Sequence, residues 1–484
     1  MKLYVWRRLI IGCNFLCIFL HNSISFGQNY IDTVYTISSQ TNRIYGNAVN
    51  FAGQEKQLKL DFSSPLDAPL PECGRPLVVI IHGGSWLAGS KDDIGIIRLR
   101  EDFAKRGFAS AAINYRLGFF LTNDNQNCNI PNWNCLLAAD SSEWIRAWYR
   151  GVQDAKMAIR FLVENQNEFQ IDSDQIFVLG ESAGGFIALG VGFLDSEAEK
   201  PLDCSEIQSV LAPNQNFYAP CIQNASWAQD IGTMNLNRPD LGGIDGEINP
   251  LAPPFKVKAI ANMFGGMLMN LFQLSDSVVP DLYTFHQPND LIVPIGATRL
   301  LQGYSECSAG SGCINLPKRP WCWGSQAIAN IIQQSTQPIQ ELPTVQLEIT
   351  NNNSPCLVQA FNPEMGGHQY DSYFLRTTQA ASFFAQRVES LNSCIILKNN
   401  QLSSSDIFKI YAHGKQLFIE SNSDKGTGFL FHVYSSTGSL VKIGKELGAS
   451  SKVLLDVESG LYWVSVFSTN GTYKNIGLLI EDDY

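Results

Sequence analysis

The sequence is poor in charge, and positive charge is the scarcer kind. Charged residues make up 16% of the 484 residues, with 34 Lys and Arg against 45 Asp and Glu and a formal net charge of -11 at pH 7. A surface of this sign repels phosphate groups, which argues against nucleic acid and anionic membrane surfaces as partners. The balance suits a protein that meets neutral molecules.

Long hydrophobic runs are also missing beyond the first residues. Three basic residues precede the apolar stretch 9–20, and small residues at 25–27 follow it. That order is typical of a secretory signal peptide, here residues 1–27, because the apolar stretch is too short to span a membrane. We therefore expect export, to the medium or the cell surface, and no transmembrane segment.

The sequence also lacks motifs with the spacing of metal ligands. No C-x-x-C pair and no cluster of cysteine and histidine suggests zinc, and we expect no metal and no other cofactor. Ten of the twelve cysteines follow the leader, and an even number favours disulfides in an exported protein. Neighbours in sequence suggest the pairs Cys128–Cys135 and Cys204–Cys221.

Two kinds of apolar pattern alternate along residues 28–397. Residues 77–81 form a continuous apolar run like that of a buried parallel strand, whereas apolar residues recur at helical spacing in 151–167. This alternation predicts an α/β fold with a mostly parallel sheet and helices on both faces. The other predicted elements are a hairpin of 34–37 and 57–62, strands at 109–114, 176–179, 258–263, 282–286 and 345–350, and helices at 94–105, 183–193, 325–334 and 372–391.

Two long stretches, 119–149 and 195–255, interrupt the alternation. Both are loop-like, aromatic and cysteine-bearing, and loops of that length inside a compact domain usually serve a function. We predict that these insertions cover a binding site. Their aromatic residues could line that site or only pack against the core: Trp133, Trp144, Trp148, Phe217, Tyr218 and Trp227.

The pattern changes after a polar linker at 398–405. Residues 406–484 contain short alternating segments separated by Gly, Asn and Ser, which is typical of a small β-sandwich. The predicted strands are 408–411, 416–420, 429–434, 452–457, 461–467 and 474–480.

One serine lies where a predicted strand ends in a glycine-rich turn. Ser182 is the third residue of Gly-Glu-Ser-Ala-Gly-Gly, residues 180–185, directly after the strand 176–179. A serine hydroxyl is a weak nucleophile, so it must be exposed, given a base and provided with amide donors for the oxyanion. The Gly-x-Ser-x-Gly turn meets the first requirement and makes Ser182 the candidate nucleophile.

Amide donors are expected from a second glycine-rich turn. His82, Gly83 and Gly84 follow the strand 77–81, and consecutive glycines can turn their N–H groups toward a pocket. Ala183 at the start of the next helix offers a third N–H group. We therefore predict an oxyanion hole formed by Gly83, Gly84 and Ala183.

Histidine is scarce, so the base can be sought by elimination among six residues. One lies in the leader, two in the C-terminal sandwich, and His82 precedes the serine in the oxyanion loop. The chain order serine, acid, histidine leaves His286 and His368. His368 is the predicted base because it lies in a glycine-flanked loop between the last strand and the last helix of this domain.

The acid must hold the imidazole in one tautomer and stabilise its cation. Asp290 follows the strand 282–286 and precedes apolar residues and a proline that would fix its loop. Asp371 is the competitor, but it lies at the start of the last helix, where an N-cap role is expected. Asp290 is therefore the predicted acid.

Three motifs carry a family resemblance. The strand 77–81 with His-Gly-Gly, then Asn-Tyr-Arg-Leu-Gly at 114–118, then the serine motif at 180–185 resemble the α/β-hydrolase carboxylesterases, in particular secreted bacterial esterase and lipase-like enzymes. The resemblance implies an α/β-hydrolase catalytic domain at 28–397. It also implies the roles of nucleophile, base, acid and oxyanion hole for Ser182, His368, Asp290, and Gly83, Gly84 and Ala183.

The C-terminal sandwich resembles the sorting domain of type IX secretion cargo. Residues 433–438, 459–462 and Lys474 carry this likeness, which implies the secretion machinery as a partner. A carbohydrate-binding module is the alternative. Tyr462 and Trp463 are adjacent in a strand and point to opposite faces, which disfavours a single sugar-stacking surface.

The leading hypothesis is a secreted serine esterase that acts on small-molecule or polymer-linked carboxylic esters through an acyl-enzyme. Two alternatives stay open. The segment 82–86, His-Gly-Gly-Ser-Trp, also resembles formamidases of this fold, so an amide-type hydrolase is one. A catalytically silent adhesion or binding protein is the other, although both nucleophile and base are present.

Overall fold

The structure is a computed structural model, and it contains two compact units, Met1–Cys394 and Ile395–Tyr484. The predicted signal peptide and linker lie outside the residues that the structure describes. No helix among the described residues is long and apolar enough to cross a membrane. The described residues are 30–119, 141–206, 238–246, 254–271, 279–303, 319–334, 343–350, 367–388, 408–413, 415–421, 429–435, 440–446, 450–468 and 473–480.

The first unit is built on a sheet of eight described strands. Their order is β1-β2-β4-β3-β5-β6-β8-β11, in which the strands from β4 to β11 are parallel and β1 and β2 are antiparallel. A smaller sheet has the order β7-β10-β9. The strands are β1 Ile37–Val49, β2 Glu55–Pro65, β3 Arg75–Ile81, β4 Ala109–Ile113, β5 Ile171–Glu181, β6 Val257–Met263, β7 Gly266–Met267, β8 Asp281–His286, β9 Ala297–Arg299, β10 Trp321–Gly324 and β11 Val345–Ile349.

Helices pack on both faces of the large sheet. Alternate residues of β3 belong to different apolar cores: Val79 packs in the core that includes α2 and α4, and Val78 in the core that includes α1 and α6. This double burial explains the continuous apolar run of β3. The helices are α1 Ile94–Lys105, α2 Ser141–Glu164, α3 Gln166–Phe169, α4 Ala183–Phe193, α5 Ser325–Gln334 and α6 Tyr373–Ala385.

This topology confirms the predicted α/β-hydrolase fold. Three elements extend clearly beyond their predicted bounds: β1 covers Ile37–Val49 and not 34–37, β5 covers Ile171–Glu181 and not 176–179, and α2 begins at Ser141 and not near Gly151. The end of the predicted insertion 119–149 is therefore helical. Its aromatic residues Trp144 and Trp148 are buried, as expected for the apolar face of an amphipathic helix.

The second unit consists of two antiparallel sheets around its own core. Their strand orders are β12-β13-β16 and β15-β14-β17-β18, as expected of the predicted sandwich. Trp463 is exposed while Tyr462 packs against the core, as the alternation in β17 requires. The strands are β12 Phe408–His413, β13 Gln416–Ser421, β14 Phe429–Ser435, β15 Leu440–Glu446, β16 Ser450–Leu454, β17 Gly460–Ser468 and β18 Tyr473–Ile480.

The described cysteines correct one predicted pair. Cys204 has a free thiol, so the pair Cys204–Cys221 is wrong. Cys204 lies in a short 3-10 helix, Leu202–Cys204, that packs against α2, and its burial raises the pKa of the thiol to about 12. Cys322 is also free, whereas Cys73 is disulfide-bonded. The pair Cys128–Cys135 lies outside the described residues.

Candidate active site

The predicted nucleophile lies at a strained turn between β5 and α4. Ser182 has φ +50° and ψ -121°, a backbone conformation that residues other than glycine rarely adopt. Such a residue costs about 1 to 3 kcal/mol and must be held by its surroundings. Its N–H donates to the Met263 carbonyl at 2.9 Å, and its carbonyl accepts from Gly185 N–H at 2.8 Å. The sheet and the helix together therefore fix the turn.

Three residues far apart in sequence meet at this turn. His368 Nε2 lies 2.7 Å from Ser182 Oγ, and His368 Nδ1 lies 2.7 Å from Asp290 Oδ2. A carboxylate only accepts hydrogen bonds, so Nδ1–H donates to Asp290 and Nε2 is left to accept the serine proton. The structure thus brings together the predicted nucleophile, base and acid in the tautomer that general-base catalysis requires.

The acid is buried and well supplied with donors. Asp290 Oδ1 accepts from the N–H groups of Ile292 and Val293 at 2.8 and 3.0 Å. Burial alone would raise its pKa, but the neighbouring His368 and the hydrogen bonds from His286 and His368 outweigh burial, and the pKa of Asp290 is lowered. Asp290 is therefore ionised at neutral pH, as a group that stabilises an imidazolium must be.

His286, the second candidate for the base, contacts the acid and not the serine. Its Nε2 lies 3.2 Å from Asp290 Oδ2 and 2.9 Å from the carbonyl oxygen of Val293, and its side chain is fully buried. Sequence reasoning missed this contact. A histidine that ends a strand four residues before the candidate acid is the signal that could have revealed it.

The glycine-rich turn after β3 lies beside the serine. A Cβ atom added to Gly83 would be 3.1 Å from Ser182 Cβ, and Ala183 directly follows the serine as the first residue of α4. Gly84 has φ +107°, and its carbonyl accepts from two amides of the turn at 3.0 Å each. Within the described chain neither glycine amide donates to another residue. Of the three predicted oxyanion residues, Gly83 and Ala183 thus border Ser182, and Gly84 follows Gly83 in the same turn.

His82 holds this turn from behind. Its Nδ1 lies 2.7 Å from the Gly83 carbonyl oxygen, and its ring stacks on Tyr115 with 4.3 Å between centroids. Burial lowers the pKa of His82 to about 4, which keeps the ring neutral at neutral pH. The neutral ring supports the turn without placing a positive charge in the core.

An apolar cleft opens beside Ser182. Of the aromatic residues predicted to cover the site, Trp144 lines the cleft beside Ser182. Trp148 packs in the core instead, and its indole N–H donates to the Phe186 carbonyl at 2.8 Å. The other four predicted aromatics lie outside the described residues. The cleft is lined by Ser85, Trp86, Trp144, Ser182, Ala183, Phe186, Ile292, Val293, Leu300 and Leu301.

Phe264 packs against the histidine, and Asp371, the competing candidate for the acid, has a structural role. Phe264 has φ +44°, and its ring meets that of His368 edge to face with 5.1 Å between centroids. No sequence pattern indicated this contact. Asp371 is not the acid, and it is not the N-cap either, because Ser372 occupies the N-cap position of α6, without a capping bond from its side chain. Instead, Asp371 forms an ion pair with Arg376 at 2.8 Å.

The described residues contain no group of three or more His, Cys, Asp or Glu side chains that could hold a metal ion. The groups that the structure brings together at this site are a serine hydroxyl, an imidazole and a carboxylate, with backbone amides beside them. That set is suited to acyl transfer, in which a hydroxyl attacks a carbonyl carbon.

Comparison with known proteins gives a family match and several structural neighbours. The family model described as BD-FAE matches residues 66–122 and 145–277, which include Gly83, Gly84, Ser182 and Ala183 but neither Asp290 nor His368. None of the curated proteins compared with the chain matches it. The family match agrees with the predicted enzyme class, a carboxylic ester hydrolase.

Solved structures with similar chains include three esterases. A truncated carbohydrate esterase from gut microbiota is 14% identical, with a TM-score of 0.38 over 73% of this chain and 98% of that one. Esterase 2 of Thermogutta terrifontis is 16% identical, with a TM-score of 0.37 over 72% and 93%. A phosphonate-inhibited esterase B from Lactobacillus rhamnosis is 16% identical, with a TM-score of 0.33 over 72% and 86%.

Proposed function

We propose that the protein is a serine esterase that cleaves small-molecule or polymer-linked carboxylic esters through an acyl-enzyme. The observation that carries the proposal is the 2.7 Å contact between His368 Nε2 and Ser182 Oγ, with Asp290 on the other ring nitrogen. Hydroxyl, imidazole and carboxylate in this order are the arrangement that activates a serine for acyl transfer.

In the proposed reaction, Ser182 Oγ attacks the ester carbonyl carbon while His368 Nε2 takes its proton. The carbonyl oxygen becomes negative and accepts hydrogen bonds from the N–H groups of Gly83, Gly84 and Ala183. His368 then gives its proton to the leaving alcohol. A water molecule, deprotonated by His368, attacks the acyl-enzyme, and His368 returns that proton to Ser182 Oγ as the acid is released.

Hydrolysis of short p-nitrophenyl esters by the purified protein tests this proposal. Ser182→Ala should reduce kcat by at least about 10³-fold, because the remaining groups only polarise the carbonyl. A fluorophosphonate probe should label wild-type protein and not the variant. Equal ester hydrolysis by both proteins would refute the proposal, and absence of labelling in the wild type would favour the silent binding protein. Matched p-nitroanilides and formamides test the amide-hydrolase alternative.

We further propose that residues 1–27 direct export and that residues 406–484, within the second unit, form a sorting domain. The charge and hydropathy pattern of the leader and the antiparallel sandwich support this proposal. Deletion of residues 406–484 should abolish export from the native cell and leave ester hydrolysis intact. Normal export of the truncated protein would refute the sorting role.

A further inference from the structure

A chain of buried hydrogen bonds reaches the acid from within the sheet. Asn262 Nδ2 lies 2.9 Å from Thr284 Oγ1, which lies 2.7 Å from Ser325 Oγ, which lies 2.9 Å from His286 Nδ1. His286 Nε2 then approaches Asp290 Oδ2 at 3.2 Å. The first four residues are fully buried, so water does not compete for these bonds.

The donors in this chain all point toward the carboxylate. The Asn262 side-chain oxygen accepts from Gly265 N–H at 3.1 Å, so its amide group faces Thr284 and can only donate. Thr284 Oγ1–H therefore donates a hydrogen bond to Ser325 Oγ, and Ser325 Oγ–H donates one to His286 Nδ1. The order is fixed at its first member, which makes the whole chain directional.

The other nitrogen of His286 must then carry a proton. Its Nε2 lies 2.9 Å from the carbonyl oxygen of Val293, and a carbonyl oxygen only accepts. The same Nε2 lies 3.2 Å from Asp290 Oδ2, the oxygen that accepts from His368, which is close enough for its N–H to interact with both oxygens. The His286 Nε2–H is thus held in one orientation, and it lies beside the carboxylate oxygen on which the base depends.

We propose that His286 is a positioning residue for the acid: its Nε2–H, oriented by Asn262, Thr284 and Ser325, restrains Asp290 and draws charge from the oxygen that faces His368. This inference rests on the proposed esterase function. None of these four residues lines the cleft beside Ser182, so they act through Asp290 and not on the substrate.

Loss of the His286 donor should have a defined effect on the base. With one donor fewer, Asp290 Oδ2 carries more of the negative charge, and His368 holds its proton more strongly. The acid limb of the pH profile of kcat/KM should therefore move to higher pH. Misorientation of Asp290 should also lower kcat by about 10-fold or more, with KM little changed, as expected for one hydrogen bond to a charged group.

Other titratable groups near the pair must be kept apart from this effect. Cys322 in β10 interacts with Asp290, but burial raises the pKa of its thiol far above the range concerned. Glu181 in β5 interacts with His368, and burial raises the pKa of its carboxyl. Glu181→Gln is therefore measured alongside, and it should not reproduce the shift caused by loss of His286.

The test compares His286→Ala with His286→Gln, since glutamine can place an N–H donor near the Nε2 position. Alanine should shift the acid limb upward and lower kcat, and glutamine should restore the limb to near its wild-type position. Ser325→Ala, which frees the His286 tautomer, should shift the limb in the same direction by less. An unshifted limb in a folded His286→Ala protein, or equal behaviour of alanine and glutamine, would overturn the inference.

A readout without turnover separates this inference from the proposed function. The titration of His368 can be followed by NMR with labelled histidine, and its midpoint should move to higher pH in His286→Ala. If wild-type protein hydrolyses no ester, the proposed function fails, while the NMR titration still decides the role of His286. Melting curves confirm that each variant is folded.

Discussion

Gly180 and Gly184 approach each other so closely that a Cβ atom on Gly180 would lie 2.0 Å from the Gly184 carbonyl oxygen. The position of that Cβ atom is set by the Gly180 backbone, and the oxygen belongs to the backbone of the serine turn, so neither can rotate away. Gly180→Ala should therefore destabilise the protein by about 3 kcal/mol or displace Ser182 from His368, with loss of ester hydrolysis in either case. Urea unfolding and fluorophosphonate labelling measure the two effects.

Gly95 provides the matched control, because a Cβ atom there would meet nothing within 4 Å. It lies in α1, where alanine is favoured over glycine by about 1 kcal/mol. Gly95→Ala should leave hydrolysis unchanged and stability equal or slightly higher. A Gly180→Ala protein with wild-type stability and labelling would show that the turn relaxes more easily than its geometry indicates.

The buried Asp61 forms ion pairs with two buried cations, Lys91 and Arg100. Its carboxylate lies 2.9 Å from Lys91 Nζ and 2.9 Å from Arg100 Nη1, and all three side chains are at most 5% exposed. Asp61→Asn removes the charge that both cations face, and Lys91 keeps only the exposed Asp92. We expect a loss of about 3 kcal/mol in the free energy of unfolding, because an unpaired buried charge is costly.

The exposed pair Lys105–Glu101 serves as the comparison, with 3.2 Å between charged atoms and more than a third of each side chain exposed. Glu101→Gln should change the free energy of unfolding by at most about 0.5 kcal/mol, since solvent screens such pairs. Urea unfolding of both variants at one pH gives the comparison. Similar losses for the two variants would contradict the difference assigned to burial.

His82 predicts a dependence of stability on pH. Its pKa is lowered to about 4 by burial, so below the unfolded-state pKa of about 6.5 the unfolded chain binds a proton that the folded protein excludes. This residue therefore lowers stability as pH falls from about 6.5 to about 4, by about 2 kcal/mol between pH 7 and pH 5. Urea unfolding at both pH values should show the decrease.

His82→Gln isolates this contribution from that of other groups. The substitution costs stability at pH 7, because the stacking on Tyr115 is lost, but it removes the ionisable ring. The decrease between pH 7 and pH 5 should be smaller in the variant than in the wild type. If both proteins lose the same free energy over this range, His82 is not the group responsible.

The sequence was sufficient for the features that rest on local pattern. Helices α1, α4 and α5 begin and end where periodicity predicts, and the serine turn follows a buried strand as expected. The meeting of Ser182, Asp290 and His368 could also be predicted, since histidine is scarce and parallel strands end at the same edge of the sheet.

Features that depend on tertiary contacts escaped prediction. The four-residue strand β10 owes its conformation to pairing with β7 and β9, and β15, which was not among the predicted strands, owes its conformation to pairing with β14. The contact of His286 with Asp290 depends on side-chain distances below the sheet edge, which spacing alone does not set. Neither the positive φ angle of Phe264 nor the contact of its ring with His368 follows from a local pattern.

The apolar wall beside Ser182 predicts a preference for short acyl chains that one substitution should relax. Leu300 is buried at 3% exposure and lines the cleft together with Leu301 and Trp144. Leu300→Ala removes three carbon atoms from that wall, and each methylene buried in an apolar pocket is worth about 1 kcal/mol or more. The ratio of kcat/KM for p-nitrophenyl butyrate to that for p-nitrophenyl acetate should rise about 10-fold. Leu99→Ala, a buried substitution in α1 outside the cleft, controls for lost stability and should leave the ratio unchanged. An equal ratio in Leu300→Ala and the wild type would place the acyl chain elsewhere.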